Sequence, residues 1–208
     1  MKNILILKYS NSGNIGSVKN AIKKNLQLNL ESKFSIKSSF KKKDILNADA
    51  LVLPGVGNNK NIMDFLKKNK LNEEIIKFYK AGKPILAICA GFQILYEFSE
   101  EGNVKCLGIF RGKVLKIKEN LNQKVPSYGW HKTKRLKGLK FINKFEFFYY
   151  IHSYYVKTKS NVIMNYSYAR KAIPSLIYKN KLIGSQFHPE LSGKSGDKII
   201  QFFLKKIK

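Results

Sequence analysis

The stretch KPILAICAGFQILYE, Lys83 to Glu97, decides how the rest of the chain is read. Ile85-Leu86-Ala87-Ile88 is a short apolar run that reads as a buried strand. It ends at Cys89, and after Ala90 and Gly91 an apolar periodic segment predicts a helix reaching about Phe98. A cysteine at such a corner has two readings. Free cysteine is among the most buried residue types, so a lone one after an apolar run is more often packing than chemistry. The other reading is a nucleophile. A sharp strand-to-helix turn exposes the side chain, and the helix start favours negative charge and lowers a thiol pKa. Small residues at Ala87 and Gly91 permit the tight turn.

Around this corner, short apolar runs alternate with helical patterns. Asn3–Leu7, Phe34–Ser38 and Ala50–Leu53 read as strands, and Ile15–Leu28 as a helix with apolar positions at Val18, Ile22 and Leu26. Met63–Lys80 is expected to be helical, stopping at Gly82. This alternation implies an α/β fold with an open, mostly parallel sheet flanked by helices. The second half changes character. Gly108–Lys118, Glu146–Val156, Val162–Tyr168, Ser175–Tyr178 and Leu182–Phe187 read as strands, and Gly196–Ile207 as a closing helix. The expectation is a mixed or antiparallel extension of the same sheet within one domain spanning residues 1–208. No repeat or Pro/Gly-rich linker divides it.

In open parallel sheets, reactive groups gather at the carboxyl ends of strands, where Cys89 stands. A cysteine nucleophile needs a base, and the base needs an orienting group. GSQFHPE supplies both directly after a strand: His188 to take the thiol proton and Glu190 to hold the ring, with Pro189 enforcing a rigid turn. A lone histidine would be a surface turn residue; the pairing with the cysteine corner argues against that. LVLPGVGNN adds a glycine-bearing turn after another strand, suited to presenting backbone N–H groups to an oxyanion together with that of Ala90. Taken alone, a P-G-x-G loop is common.

Together these residues resemble the class I (triad-type) glutamine amidotransferases, and within them the glutaminase subunits of imidazole glycerol phosphate synthases. The resemblance runs nearly end to end through GNIGSV (Gly13–Val18), LPGVG (Leu53–Gly57), ICAGFQIL (Ile88–Leu95), VPSYGWH (Val125–His131), IHSYYV (Ile151–Val156) and QFHPELSG (Gln186–Gly193). It implies that Cys89 forms a glutamyl thioester, His188 acts as base and acid, and Glu190 orients it. Gly57 and Ala90 would form the oxyanion hole. Gly55, Gln93, Ser153 and Tyr154 would contact L-glutamine. Gly13, Asn14, Pro126, Gly129 and Trp130 would face a (β/α)8 cyclase subunit that receives the ammonia, in a cytoplasmic heterodimer of histidine biosynthesis. Ser127, His131 and Leu191 depart from the usual His, Asn and Lys, and Ala90 and Phe92 from the commoner Leu and Met of the elbow. Most of these departures touch the partner side. The alternatives are a related subunit supplying ammonia to amidinate a surface-polysaccharide sugar, and an inactive assembly module.

The chain has 208 residues, 44% hydrophobic and 25% charged, which fits a globular class. No apolar run reaches the ~18 residues that span a bilayer, so no membrane association is expected. Two cysteines and no export signal point to a reduced, cytoplasmic setting. The net charge of +27 raises nucleic-acid binding, but the lysines are scattered and no recognition motif accompanies them, so no specific nucleic-acid partner is expected. A basic surface still suits anionic substrates or an acidic protein partner. Cys106 reads as packing, and His152 as a satisfied core or pocket histidine. Phe147, Phe148, Tyr149, Tyr150, Tyr154 and Tyr155 read mostly as sheet packing. Trp130 is an interface anchor or a core residue. No metal site and no cofactor are expected.

Overall fold

The computed structural model describes residues 1–9, 15–27, 33–55, 57–118 and 124–207; Gly13, Asn14, Leu28 and Val56 lie outside these. In chain order the elements are β1 (Lys2–Leu7), α1 (Ile15–Gln27), β2 (Phe34–Ser39), α2 (Lys42–Leu46) and β3 (Ala50–Leu53). Then come α3 (Asn59–Lys68), α4 (Asn72–Lys80), β4 (Ile85–Ile88), α5 (Ala90–Gln93), β5 (Phe98–Ser99), β6 (Val104–Lys105) and β7 (Lys113–Lys116). The rest is β8 (Ser127–Arg135), β9 (Phe145–His152), β10 (Tyr154–Lys157), β11 (Val162–Tyr168), β12 (Lys171–Lys179), β13 (Leu182–Ser185), a 3₁₀ turn (Pro189–Leu191) and α6 (Gly193–Leu204).

A nine-stranded sheet has the order β2-β1-β3-β4-β13-β12-β11-β8-β9. Its first five strands pair in parallel, and β12, β11, β8 and β9 continue it antiparallel. The apolar runs of β3, β4 and β13 are buried throughout, because helices cover both faces. Alternation sorts the side chains. Leu5, Leu51, Leu53 and Ile85 pack against Ile62, Leu66, Ile75 and Phe78 of α3 and α4. Ile4, Ile6, Val52 and Leu86 pack with Val18 and Ile22 of α1 and with Ile199 and Phe203 of α6 on the opposite face. The parallel core with an antiparallel extension is therefore as expected.

A second, four-stranded sheet, β10-β7-β5-β6, was not expected. It forms because the predicted strand Glu146–Val156 is two strands in different sheets. The chain leaves the large sheet at His152 and enters the small one at Tyr154, with Ser153 between them accepting the N–H of Ile117 (2.8 Å). The expected strand Gly108–Lys118 shrinks to β7. The helix predicted to reach Phe98 is a single turn, because the carbonyls of Ile94, Leu95, Tyr96 and Glu97 accept from Leu107, Phe110, Gly108 and Cys106. The predicted helix Met63–Lys80 is two helices. Lys70 adopts φ +54°, and the Leu71 N–H closes on the Leu66 carbonyl (2.8 Å), burying Leu71.

Candidate active site

Cys89 sits where β4 hands over to α5, with φ +46° and ψ −108°. This left-handed region is rarely entered by a residue with a side chain, and holding one there costs roughly 1–3 kcal/mol unless its surroundings dictate it. They do. The Cys89 N–H donates to the Ser185 carbonyl of β13 (2.7 Å), and the Cys89 carbonyl accepts from Phe92 and Gln93 (3.1 and 2.9 Å). Glycines let the neighbouring backbone close in. A Cβ on Gly91 would lie 2.3 Å from the Leu53 carbonyl oxygen, and one on Gly55 2.7 Å from the Cys89 Cβ. The strand ends of β3, β4 and β13 thus clamp the corner.

His188 is reached from β13 through Gln186 and Phe187. Its N–H donates to the Tyr149 carbonyl (2.9 Å), and its carbonyl accepts from Ser192 Oγ (2.6 Å), so its backbone is fixed on both sides. Nδ1 of His188 lies 2.8 Å from Glu190 Oε1, both side chains being almost fully buried. Nε2 has no partner at full hydrogen-bond geometry among the described residues, yet Cys89 acts on the ring both through its charge and as a side-chain hydrogen-bond partner. Burial pulls the pKa of His188 down; the charge on Cys89 and the Glu190 carboxylate more than offset it, raising the pKa to about 10. Cys89 Sγ is 3.7 Å from Gln186 Nε2, a donor, and 3.7 Å from the Ile151 carbonyl.

A cavity of about 390 Å³ brings together Gly55, Gly57, Cys89, Ala90, Gln93, Ser153, Tyr154 and His188. Pro126, Ile151 and His152 complete it with Glu101. Glu190 stands behind His188. Gly57 has φ +103°, a conformation open to glycine. Gln93 is buried with its amide engaged by the protein: Nε2 donates to the Tyr154 carbonyl (2.7 Å) and Gln186 Oε1 (3.2 Å), and Oε1 accepts from Asn59 Nδ2 (3.0 Å). His152 is buried, with Nδ1 2.8 Å from the Tyr154 carbonyl, as a satisfied pocket histidine should be. A larger cavity of about 710 Å³ shares Ser153 and Tyr154 with this one and is lined by neither a cysteine nor a histidine among the described residues.

Glu101 escaped the sequence reading, and it is the one carboxylate lining the cavity among the described residues. Its Oε2 accepts the Asn59 N–H (2.7 Å), while burial holds its pKa above the usual carboxylate value. Nothing in FSEEG marks it, because its place depends on the small sheet. Pro126 follows a cis peptide bond and reaches the cavity. Gly129 (φ +104°) and Trp130 lie outside it, on β8. There Tyr128 and Trp130 pair with Ile151 and Tyr149 of the edge strand β9. Tyr128 (65% exposed), Trp130 (54%) and Phe147 (54%) leave this face open, so Trp130 is no core residue and Phe147 does not pack in the sheet. Phe148, Tyr150 and Tyr155 are buried as expected, and Cys106 packs against the core. Among the described residues no cluster of three or more His, Cys, Asp or Glu side chains is arranged to hold a metal ion, and no helix is long and apolar enough to cross a membrane.

Solved structures repeat this architecture. A crystal structure of a glutamine amidotransferase superposes with TM-score 0.73 at 20% identity, covering 98% of each chain. The glutaminase domain of Trypanosoma brucei CTPS superposes with TM-score 0.74 at 15% identity, covering 100% of this chain and 94% of that one. At such identities the likeness concerns the fold. Closer relatives carry the name imidazole glycerol phosphate synthase subunit HisH. That of Lactococcus lactis is 38% identical with full coverage of both chains. That of Methanocaldococcus jannaschii is 37% identical over 93% of this chain and 95% of its own. That of Prochlorococcus marinus (strain MIT 9211) is 34% identical over 98% and 94%. Residues 13–207 match the family described as Glutamine amidotransferase class-I, and the chain belongs to that family.

Proposed function

We propose that this chain is the glutaminase subunit of an imidazole glycerol phosphate synthase. It hydrolyses L-glutamine to glutamate and ammonia and passes the ammonia to a (β/α)8 cyclase subunit, which forms imidazole glycerol phosphate and an aminoimidazole carboxamide ribonucleotide. The observation that carries the glutaminase chemistry is Cys89 on its strained corner, sharing one cavity with a His188 held by Glu190. The Cys89 thiolate attacks the side-chain amide carbon, and the resulting oxyanion is held by the N–H groups of Gly57 and Ala90. Imidazolium His188 gives its proton to the leaving nitrogen, so ammonia departs and a thioester remains. Neutral His188 then removes a proton from water, which attacks the thioester; glutamate leaves and the thiolate and imidazolium are restored. Glu101 is placed to pair with the α-ammonium of the substrate. Gly55 and the Ser153–Tyr154 backbone shape the remaining wall, and Gln93 acts at one remove by holding the Tyr154 carbonyl.

The three curated relatives share one subunit name, which favours the histidine pathway over sugar amidination. The open aromatic face of β8 and β9, with Trp130, Gly129 and the adjoining Pro126, is the proposed seat of the cyclase; Gly13 and Asn14 belong to the same expected interface. The complex is then a heterodimer. The test is to incubate the chain with glutamine, the cyclase subunit and the cyclase's ligand and to measure glutamate. Glutamate release that disappears in Cys89→Ala is expected; no release, or full activity in that variant, sinks the reading.

A further inference from the structure

A buried hydroxyl outside the cavity touches the histidine that leads into one of the cavity's walls. Tyr166 lies on β11, 2% exposed, with its ring stacked on Tyr150 (centroids 4.2 Å apart). Its hydroxyl is 2.6 Å from Nε2 of His152 and 3.0 Å from Ser127 Oγ. His152 ends β9, directly before the Ser153–Tyr154 step that lines the cavity. We propose that Tyr166 is a positioning residue for the glutamine site: acting through His152, its hydroxyl fixes the Tyr154 carbonyl and with it the Ser153–Tyr154 wall.

The protons can be placed one by one. Nδ1 of His152 is 2.8 Å from the Tyr154 carbonyl. A carbonyl only accepts, so Nδ1 carries the proton. Burial, opposed by that hydrogen bond and aided by the charges of His188 and His131, holds the His152 pKa down at about 3, so the ring is neutral. Nε2 is therefore an acceptor; the single proton of the Tyr166 hydroxyl has two acceptors in reach, Ser127 Oγ at 3.0 Å and Nε2 at 2.6 Å, and the closer nitrogen takes it. The same Tyr154 carbonyl also accepts from Gln93 Nε2 at 2.7 Å. Both of its lone pairs are thus used, one from the helix that follows Cys89 and one from β11 by way of His152. Without the Tyr166 hydroxyl, Nε2 is a buried acceptor with no donor. With Nε2 unpaired, nothing from β11 fixes the ring, so its Nδ1–H bond to the Tyr154 carbonyl is held less firmly and the wall is freer to shift.

The inference rests on the glutaminase reading, and its test separates the two. Tyr166→Phe keeps the ring stack and removes only the hydroxyl. In the complex with the cyclase subunit, KM for glutamine is expected to rise about 10-fold with kcat within about twofold, the pattern of lost ground-state binding. Alkylation of Cys89 by a chloroketone analogue of glutamine is expected to slow by about 10-fold, while alkylation by iodoacetamide stays unchanged. If the wild-type complex releases no glutamate, the glutaminase reading fails. If the wild type is active and Tyr166→Phe keeps its KM, or loses iodoacetamide reactivity as well, the positioning role is overturned. ¹⁵N NMR of the histidines needs no activity: wild-type His152 is expected to be protonated at Nδ1, and an Nε2–H tautomer overturns the proposal.

Discussion

At the scale of single residues, the candidate site is built from groups that are expensive to hold. Cys89 keeps φ +46°, and His188 is buried beside a carboxylate. A raised His188 pKa ties stability to pH with a definite sign. The folded chain holds this proton more tightly than the unfolded one, so the stabilisation is complete below about pH 6.5 and is lost as pH rises through about 10. The urea midpoint of the wild type is expected to fall between pH 6.5 and 10. His188→Gln should flatten that fall; equal slopes in the two proteins would contradict it. In activity, His188→Ala should lower glutamate release by at least about 10²-fold, read in the complex with the cyclase. Cys89, His188 and Glu190 were legible because each follows a buried apolar run, and strand ends are where such folds keep their chemistry. Glu101 and Tyr166 were not. Neither belongs to a motif, and each acquires its place only when two separate parts of the chain meet.

At the scale of elements, what was legible followed burial. Strands β1, β3, β4 and β13 announce themselves as apolar runs because both of their faces are covered. Strand β8 hid because its sequence, SYGWHKTKR, sets aromatics and lysines on an open face, the reverse of the usual pattern. The single-turn α5 hid because tertiary hydrogen bonds from residues 106–110 overrule a periodic segment that propensity alone would continue. Its tightness has a measurable cost. In Gly91→Ala the new Cβ meets the backbone carbonyl of Leu53, which no rotamer change relieves. A loss of about 1–3 kcal/mol in denaturant unfolding is expected, with glutaminase activity falling alongside. A neutral effect would mean that the corner is looser than described. At Lys70, between α3 and α4, glycine is expected to relieve the left-handed backbone and raise stability by up to about 1 kcal/mol.

At the scale of the whole molecule, an open aromatic face lies at one edge of a strongly basic chain. Trp130→Ala is expected to weaken cyclase binding by about 2 kcal/mol, roughly 30-fold in Kd, with the unfolding midpoint of the isolated chain unchanged. An unaltered Kd by calorimetry would move the interface elsewhere. The two sheets also differ in what sustains them. The large one is buried between helices, whereas the small one is made of strands of two to four residues. Yet the wall at Ser153 and Tyr154, and Glu101 beyond β5, hang from the small sheet. The candidate pocket therefore belongs to a less cooperative unit than the core that displays Cys89. Amides of β5, β6, β7 and β10 should exchange with deuterium well before those of β1, β3 and β4. Glutamine turnover should likewise disappear at a denaturant concentration where the parallel core is still folded.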